Sequence, residues 1–535
     1  MVKAGQLFCV LGILLSSGCG KSDLPAPKPA QRPSPKKPAK IVVPDLSAEQ
    51  NDKARILSMS VCAQCHLRPE PGMLDRRAWV EVMDHMKPWL GLEPVPEETP
   101  GHLRGLYPTN AVVSQAQWQQ LRDFYVFNSK EKLAPRSLPF DGEAKIFEEV
   151  DAKAPFGAFL LSARVEPGTG AVWVGLSRTA EVVVYRRESD GQWSDRIDWV
   201  GGPSDFHFGT DDPRPSRSGP SDFHFGTDGI YVLMMGNRFP HDRADGRLMK
   251  VVDGNATEIA GKLRRPTDVL AEDFNGDRKL DLVICEYGNL AGGIVWLESA
   301  KGGKRKMLLE QPGILNAAAA DFNGDGQLDF AALIGQAGEM VMLFLGDGKG
   351  GFEPRALLPR HPGWGHSHLE VADFNGDGHP DLLITNGDNG DLRDTPIRPY
   401  HGIRIHLNDG KGHFNQEKFF PQPGAYRALA RDFDGDGDLD IVSLSFFADY
   451  INDPESALIY LRQDAPMKFS RLKLPGAQKG RWITMDAGDI DQDGDEDVVI
   501  AALNLGPGTK YIPTKTRRRW GRQEIPVLIL RNRTK

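Results

Sequence analysis

The sequence predicts a multidomain chain in which a small all-α domain precedes an all-β domain of repeated four-stranded sheets. Three observations carry that reading. A helical pattern runs between Leu46 and Leu133, short apolar strands and glycine-rich turns take over beyond Asp141, and an acidic sequence recurs there at sheet-length intervals. At 535 residues the chain is too long for one ordinary domain. A composition of 40% hydrophobic and 26% charged residues with 58 glycines describes a turn-rich globular protein. The net charge of -8, from 65 basic and 73 acidic residues, supplies no basic field and sets nucleic acid aside as a partner.

Residues 1–19 read as an export signal: Lys3, then the nine-residue apolar run Leu7–Leu15, then Ser16, Ser17 and Gly18. That run is short of the roughly 20 residues a membrane-crossing helix needs. Leu-Ser-Ser-Gly-Cys19 resembles the lipobox of bacterial lipoproteins, although Ser16 stands where that pattern usually has an aliphatic residue. The resemblance implies lipidation of Cys19 and a protein anchored by lipid in the periplasm or cell envelope; ordinary signal cleavage and secretion is the alternative. Residues 20–46 form a Pro/Lys-rich linker, with seven prolines between Leu24 and Pro44. Such a segment is a stiff, extended tether. Its basic residues suit anionic lipid, and a plain solvated spacer is the other reading.

Residues 47–135 are expected to form the small helical domain, and their cysteines and histidines indicate what it holds. Of the five cysteines, Cys9 and Cys19 belong to the signal, Cys285 lies alone in an apolar strand, and only Cys62 and Cys65 form a local pair. No disulfide framework is available. Cys62-Ala-Gln-Cys65-His66 is the covalent attachment pattern of c-type haem: two thioethers hold one porphyrin and His66 binds the iron. A thioredoxin-like pair or half of a zinc site is the alternative, and no second cysteine pair supports zinc. Four residues downstream are candidates for the sixth ligand: Met83, His85, Met86 and His102. The segment Trp79–Met86, followed by a final helix with Trp118, Leu121, Phe124 and Tyr125, resembles small monohaem cytochrome c domains, which implies Met86; Met83 reads as core packing. Methionine ligation favours electron transfer over ligand chemistry.

The acidic repeats start at Asp273, Asp321, Asp373, Asp432 and Asp489, spaced by 48, 52, 59 and 57 residues. Each places oxygen donors at alternate positions and a further Asp at the ninth. The expected calcium ligands are Asp273, Asn275, Asp277 and Asp281; Asp321, Asn323, Asp325 and Asp329; Asp373, Asn375, Asp377 and Asp381; Asp432, Asp434, Asp436 and Asp440; and Asp489, Asp491, Asp493 and Asp497. Oxygen donors in a tight loop suit a hard cation, for up to five Ca2+. Arg278 stands where the other four loops have glycine after the third donor. Hairpin signals such as Gly346-Asp-Gly-Lys-Gly350 lie between the loops.

These motifs resemble the FG-GAP/VCBS repeats of integrin-like β-propellers over 141–535. The resemblance implies structural calcium. Two degenerate blades precede the five acidic ones, Pro220-Ser-Asp222 matching Pro266-Thr-Asp268, so the expectation is a seven-bladed propeller. Its last blade lacks a fourth strand, and residues 143–150 are expected to supply it and close the ring. Gly-Pro-Ser-Asp-Phe-His-Phe-Gly-Thr-Asp occurs at 202–211 and again at 219–228, and the first copy is expected to form a surface loop.

Five residues before each acidic loop, and in the second blade, stand Asp222, Asp268, Asn316, His368, Arg427 and Thr484. All are polar and should begin innermost strands, where they form a possible ligand face for a glycan or protein. Solvation of the channel is the competing reading. No catalytic constellation is visible by spacing, and whether the chain is an enzyme stays open. The favoured function is an extracytoplasmic monohaem cytochrome with a calcium-binding propeller as docking or ligand platform, working with a redox partner protein or a membrane electron-transfer chain. A propeller-based dehydrogenase passing electrons to the haem, and an adhesion or interaction scaffold, are the alternatives.

Overall fold

The computed structural model describes residues 41–97, 99–134, 136–151, 160–176, 181–187, 193–196, 220–236, 241–298, 303–392, 396–523 and 527–535. The export signal with Cys19, most of the linker and the first copy of the duplicated decapeptide lie outside them.

Three helices build the first part: α1 (Ala48–Val61), α2 (Arg76–His85) and α3 (Gln115–Asn128). Their starts are written locally. Ser47 with Gln50 and Ser114 with Gln117 form reciprocal capping boxes, and Asp75 accepts the Ala78 N–H at 2.9 Å. The buried faces meet in one core of Trp79, Met83, Trp118, Leu121, Phe124 and Tyr125. Trp79 stacks on Tyr125 at 4.0 Å, and both indoles satisfy their N–H, Trp79 on the Pro71 carbonyl and Trp118 on that of Met83.

Among the described residues six four-stranded sheets and one of five strands follow, making a seven-bladed β-propeller. The first strands are Leu160–Val165, Pro220–Gly226, Pro266–Glu272, Ile314–Ala320, His366–Ala372, Ala425–Arg431 and Trp482–Gly488. Each touches the first strand of the next blade, and the seventh touches the first, so the ring is closed. Second strands such as Asp329–Ile334 and Asp497–Ala502 are buried along their whole length, which explains their unbroken apolar sequence. The second copy of the duplicated decapeptide supplies the innermost strand of blade two.

One irregularity recurs in every blade: a register shift next to the first pair of the inner strand, as between Pro266 and Asp268 or His366 and His368. A bulge turns a side chain away from its own ladder. In three blades the skipped residue carries a hydroxyl that donates to the next blade: Ser221 to the Pro266 carbonyl, Thr267 to that of Ile314, and Ser367 to that of Ala425. The bulge therefore serves as a blade-to-blade fastener.

The outer strand of blade seven is Phe147–Asp151, antiparallel to Val527–Asn532 with Phe147 opposite Asn532. The expected segment 143–150 is thus divided. Gly142–Glu143 pairs in parallel with Leu472–Lys473 on blade six, and the chain then turns onto blade seven. Phe147 decides the register: its ring is 5.6 Å from both Phe433 and Tyr460, in the core shared by blades six and seven. A helix that the sequence reading did not anticipate, α4 (Thr514–Gln523), lies between the second and third strands of blade seven. Trp520 anchors it by donating to the Gln478 carbonyl at 2.8 Å.

Phe147→Ala removes a buried aromatic worth about 3–5 kcal/mol, and deletion of 147–151 additionally exposes the edge of Val527–Asn532. Both are expected to lower the melting temperature of the propeller as a unit, the deletion more; calorimetry that left the main transition in place would refute strand closure.

Candidate functional site

The five acidic loops share one backbone design. The first Asp of each accepts the N–H of the residue five positions on: Arg278 at 2.7 Å, Gly326 at 2.9 Å, Gly378 at 2.8 Å, Gly437 at 3.0 Å and Gly494 at 3.1 Å. Two positions in every loop have left-handed backbone. Glycine holds both in loops two, three and four, whereas Arg278 (φ 64°) takes one in loop one and Gln492 (φ 61°) one in loop five. In loops four and five, Asp432, Asp434 and Asp436, and Asp489, Asp491 and Asp493, bring carboxylate oxygens within 4.8 Å of one another. Gathered carboxylates of this kind are what a hard cation requires.

The ninth-position aspartates are buried and turned inward. Asp329, Asp381 and Asp497 each take two backbone N–H groups, one from the loop and one from the end of the third strand of the blade: Phe322 and Gly346, Phe374 and Asn408, Ile490 and Asn532. Asp440 instead takes the Gln463 N–H and the Tyr460 hydroxyl. Burial, with the loop carboxylates adding to it, pushes Asp381 and Asp440 up to about 6 and Asp497 up to about 7.

The six channel residues come together, but their hydrogen bonds run between blades. Asp222 pairs with Arg164 at 2.7 Å, Asp268 accepts the Ala317 N–H at 2.9 Å, Asn316 exchanges two bonds with the Leu369 backbone, and Arg427 donates to Thr484. The same role is played by two carboxylates that the counting rule missed: Glu370 accepts the Ala430 N–H and Asp486 the Val165 N–H. Burial and the neighbouring Asp222 raise Asp268 to about 8, while burial keeps His368 neutral. His368 Nδ1 has no partner among the described residues.

Cys62 caps the C-terminus of α1 and is half-buried; Cys65 is exposed and ends the turn that follows the helix. Burial pushes the Cys62 thiol up, against Tyr125 and Arg68, which lower it. His66 Nδ1 lies 3.1 Å from the Leu67 carbonyl, an acceptor, so the neutral ring carries its proton there and leaves the Nε2 lone pair free. Among the four downstream candidates, Met83 is in the helical core, His85 and His102 are exposed, and Met86 is half-buried at the end of α2.

Against this segment sits the propeller. Tyr400 donates its hydroxyl to the Met73 carbonyl at 3.1 Å, and Leu392 is buried in the core of the helices. Around Tyr400 gather His361, Trp364 and His401, with Trp364 stacked on it at 5.0 Å. Burial lowers His361 to about 4, and the charges of Arg398 and Arg360 add to it. Tyr426 and Arg481 lie elsewhere. Arg481 spends its guanidinium on the carbonyls of Phe446, Leu505 and Pro507 and lies 3.6 Å over the Phe446 ring.

Residues 273–332, 321–384 and 432–500 match the family of the FG-GAP-like repeat, and all five acidic loops fall within these segments. No curated protein matches the chain. The β-propeller therefore carries FG-GAP-like repeats, an architecture consistent with a binding or interaction scaffold.

Arg278→Gly relieves a left-handed conformation that costs a side chain about 1–2 kcal/mol, offset by about 0.5–1 kcal/mol of glycine entropy. A small rise in melting temperature is expected, and a fall would mean that the Arg278 side chain itself supports loop one.

Proposed function

We propose that this chain is an exported, lipid-anchored monohaem c-type cytochrome whose calcium-stabilised propeller is the platform on which a redox partner or ligand docks. The observation that carries the reading is Cys62-x-x-Cys65-His66 at the end of a capped helix, with His66 Nε2 left free by the Nδ1 contact to Leu67. A bound haem would supply a one-electron couple. Cys62 and Cys65 would hold it, His66 would bind its iron on one side, and Met86 is the candidate for the other. The stacked Trp79 and Tyr125 and the helical core exclude water behind the motif. Lipidation at Cys19 and the proline-rich linker would place the folded part beside a membrane surface.

Calcium is proposed for the acidic loops because clustered carboxylates beside buried, raised aspartates are repulsive without a cation. A second reading, an interaction scaffold in which haem carries no electrons, draws on the FG-GAP-like repeats themselves.

Protein matured in a c-haem-competent periplasm is expected to keep its haem through denaturation and to show sharp, reversible low-spin bands on dithionite reduction. Cys62→Ala with Cys65→Ala should abolish them, and Met86→Ala should alter the spectrum. Wild-type protein without covalent haem would refute the cytochrome. Binding of a partner that survived loss of the haem cysteines would favour the scaffold. Chelation of calcium is expected to lower the melting temperature, since a site at 100 times its Kd contributes about 2.7 kcal/mol; an unchanged melt in chelator would remove calcium from the loops.

A further inference from the structure

The loops at 361–366 and 396–401, near the inner strand of blade five, hold an unusual group of buried hydrogen-bond donors. His361 is 5% exposed and its Nδ1 accepts the Gly363 N–H at 3.1 Å. The neutral ring must then carry its proton on Nε2, and Nε2 has no partner among the described residues. The same hydrogen bond makes His361 a donor and not an iron ligand. Arg398, 4% exposed, donates through Nη1 to the Gly363 carbonyl, yet its Nε–H has no described partner. Trp364 Nε1–H, a group that can only donate, is in the same condition.

The nearby carboxylates are already committed. Glu339 accepts the N–H groups of Gly365 and His366, Glu417 is shared by Arg360 and Arg404, and Asp388, whose charge reaches Arg398, accepts the Gly390 N–H. Buried donors without acceptors are costly, and a buried guanidinium beside them makes the cluster selective for an anion. Its place in the fold narrows the anion further. Tyr400, which stacks on Trp364, bonds the Met73 carbonyl, and a Cβ built on Gly363 would lie 3.6 Å from Leu74, so the cluster is docked against the chain that follows Cys65 and His66.

Resting on the cytochrome reading above, we propose that this blade-five cluster is a carboxylate seat, in which His361 Nε2–H, the Arg398 guanidinium and Trp364 Nε1–H receive a propionate of the haem held by Cys62 and Cys65. The propeller would then complete the haem site and hold the two domains in register. A free carboxylate substrate has the same chemistry, and the test separates the two.

The test is a redox titration between pH 5 and 9 of full-length haem-loaded protein and its Arg398→Met, His361→Asn and Trp364→Phe variants. Donors on a propionate screen its charge from the iron and hold it ionised. Removing them is expected to lower the midpoint potential, shifting the reduction equilibrium several-fold for Arg398→Met, and to make the potential titrate near neutral pH as the propionate gains its proton. The titratable and charged neighbours are Glu339, Asp388, Asp391, Glu417, His366, His401, His406, Arg360 and Arg404, and because the Arg398 charge acts on Glu339 and Asp388, a new inflection is assigned to the seat only where Trp364→Phe, which removes no charge, shows it too. Trp364→Phe keeps the stacked ring and reports in the same direction if Arg398→Met does not fold. Haem-loaded variants with wild-type potential and pH profile would overturn the seat while leaving the cytochrome intact. A wild-type spectrum or potential that moved with added acetate or succinate would overturn it too, by showing the donors open to a free carboxylate. Wild-type protein without covalent haem would overturn both readings.

Discussion

A propeller made from one chain must join its last blade to its first, and here the join is the antiparallel pairing of Phe147–Asp151 with Val527–Asn532. Every blade packs on two neighbours, so without that strand blade seven would present an open edge and its contacts with blade six would lose Phe147. The pairing links residues almost four hundred positions apart, and it ties entry to the propeller to its C-terminus. Side-chain contacts reinforce it, with Glu148 bonded to Arg531 at 2.6 Å and Glu149 to Lys479.

Closure leaves the channel as a place where seven strands converge and buried polar groups must be satisfied. The fold meets that demand around the circumference. Asp268, Asn316, Glu370 and Asp486 each accept a backbone N–H of the following blade, the last of them across the seam from blade seven to blade one. Polarity in these positions thus serves cohesion before it serves any ligand. The acidic loops apply the same economy at the periphery, where an aspartate caps the turn and a second, buried one bonds it to the far end of the blade.

The chemistry proposed for the chain depends on two parts that the sequence separates widely. The cysteine motif belongs to a helical core of its own, while the donors docked on the chain that follows it come from loops of blade five some three hundred residues later. A docking platform and a redox group held against each other in this way would couple what binds on the propeller to the environment of the iron.

Local signals were legible in the sequence because they depend only on neighbours: capping residues at Ser47 and Ser114, the spacing of the acidic loops and hence the number of blades, and the cysteine–histidine motif. The need for a closing strand was legible too, from the missing fourth strand of blade seven. Its exact register was not, because it is set by Phe147 packing against Phe433 and Tyr460. Nor was the helix Thr514–Gln523, whose polar, arginine-rich sequence is held by one buried tryptophan. Counting from the loops located six polar channel residues but not their use, since a hydrogen bond from Arg164 to Asp222 or from the Val165 N–H to Asp486 exists only once the ring has closed. Residue types and their periods were determined by the sequence itself; which donors meet which acceptors was decided by tertiary packing, because those pairs are distant in the chain and become neighbours only when seven sheets share one axis.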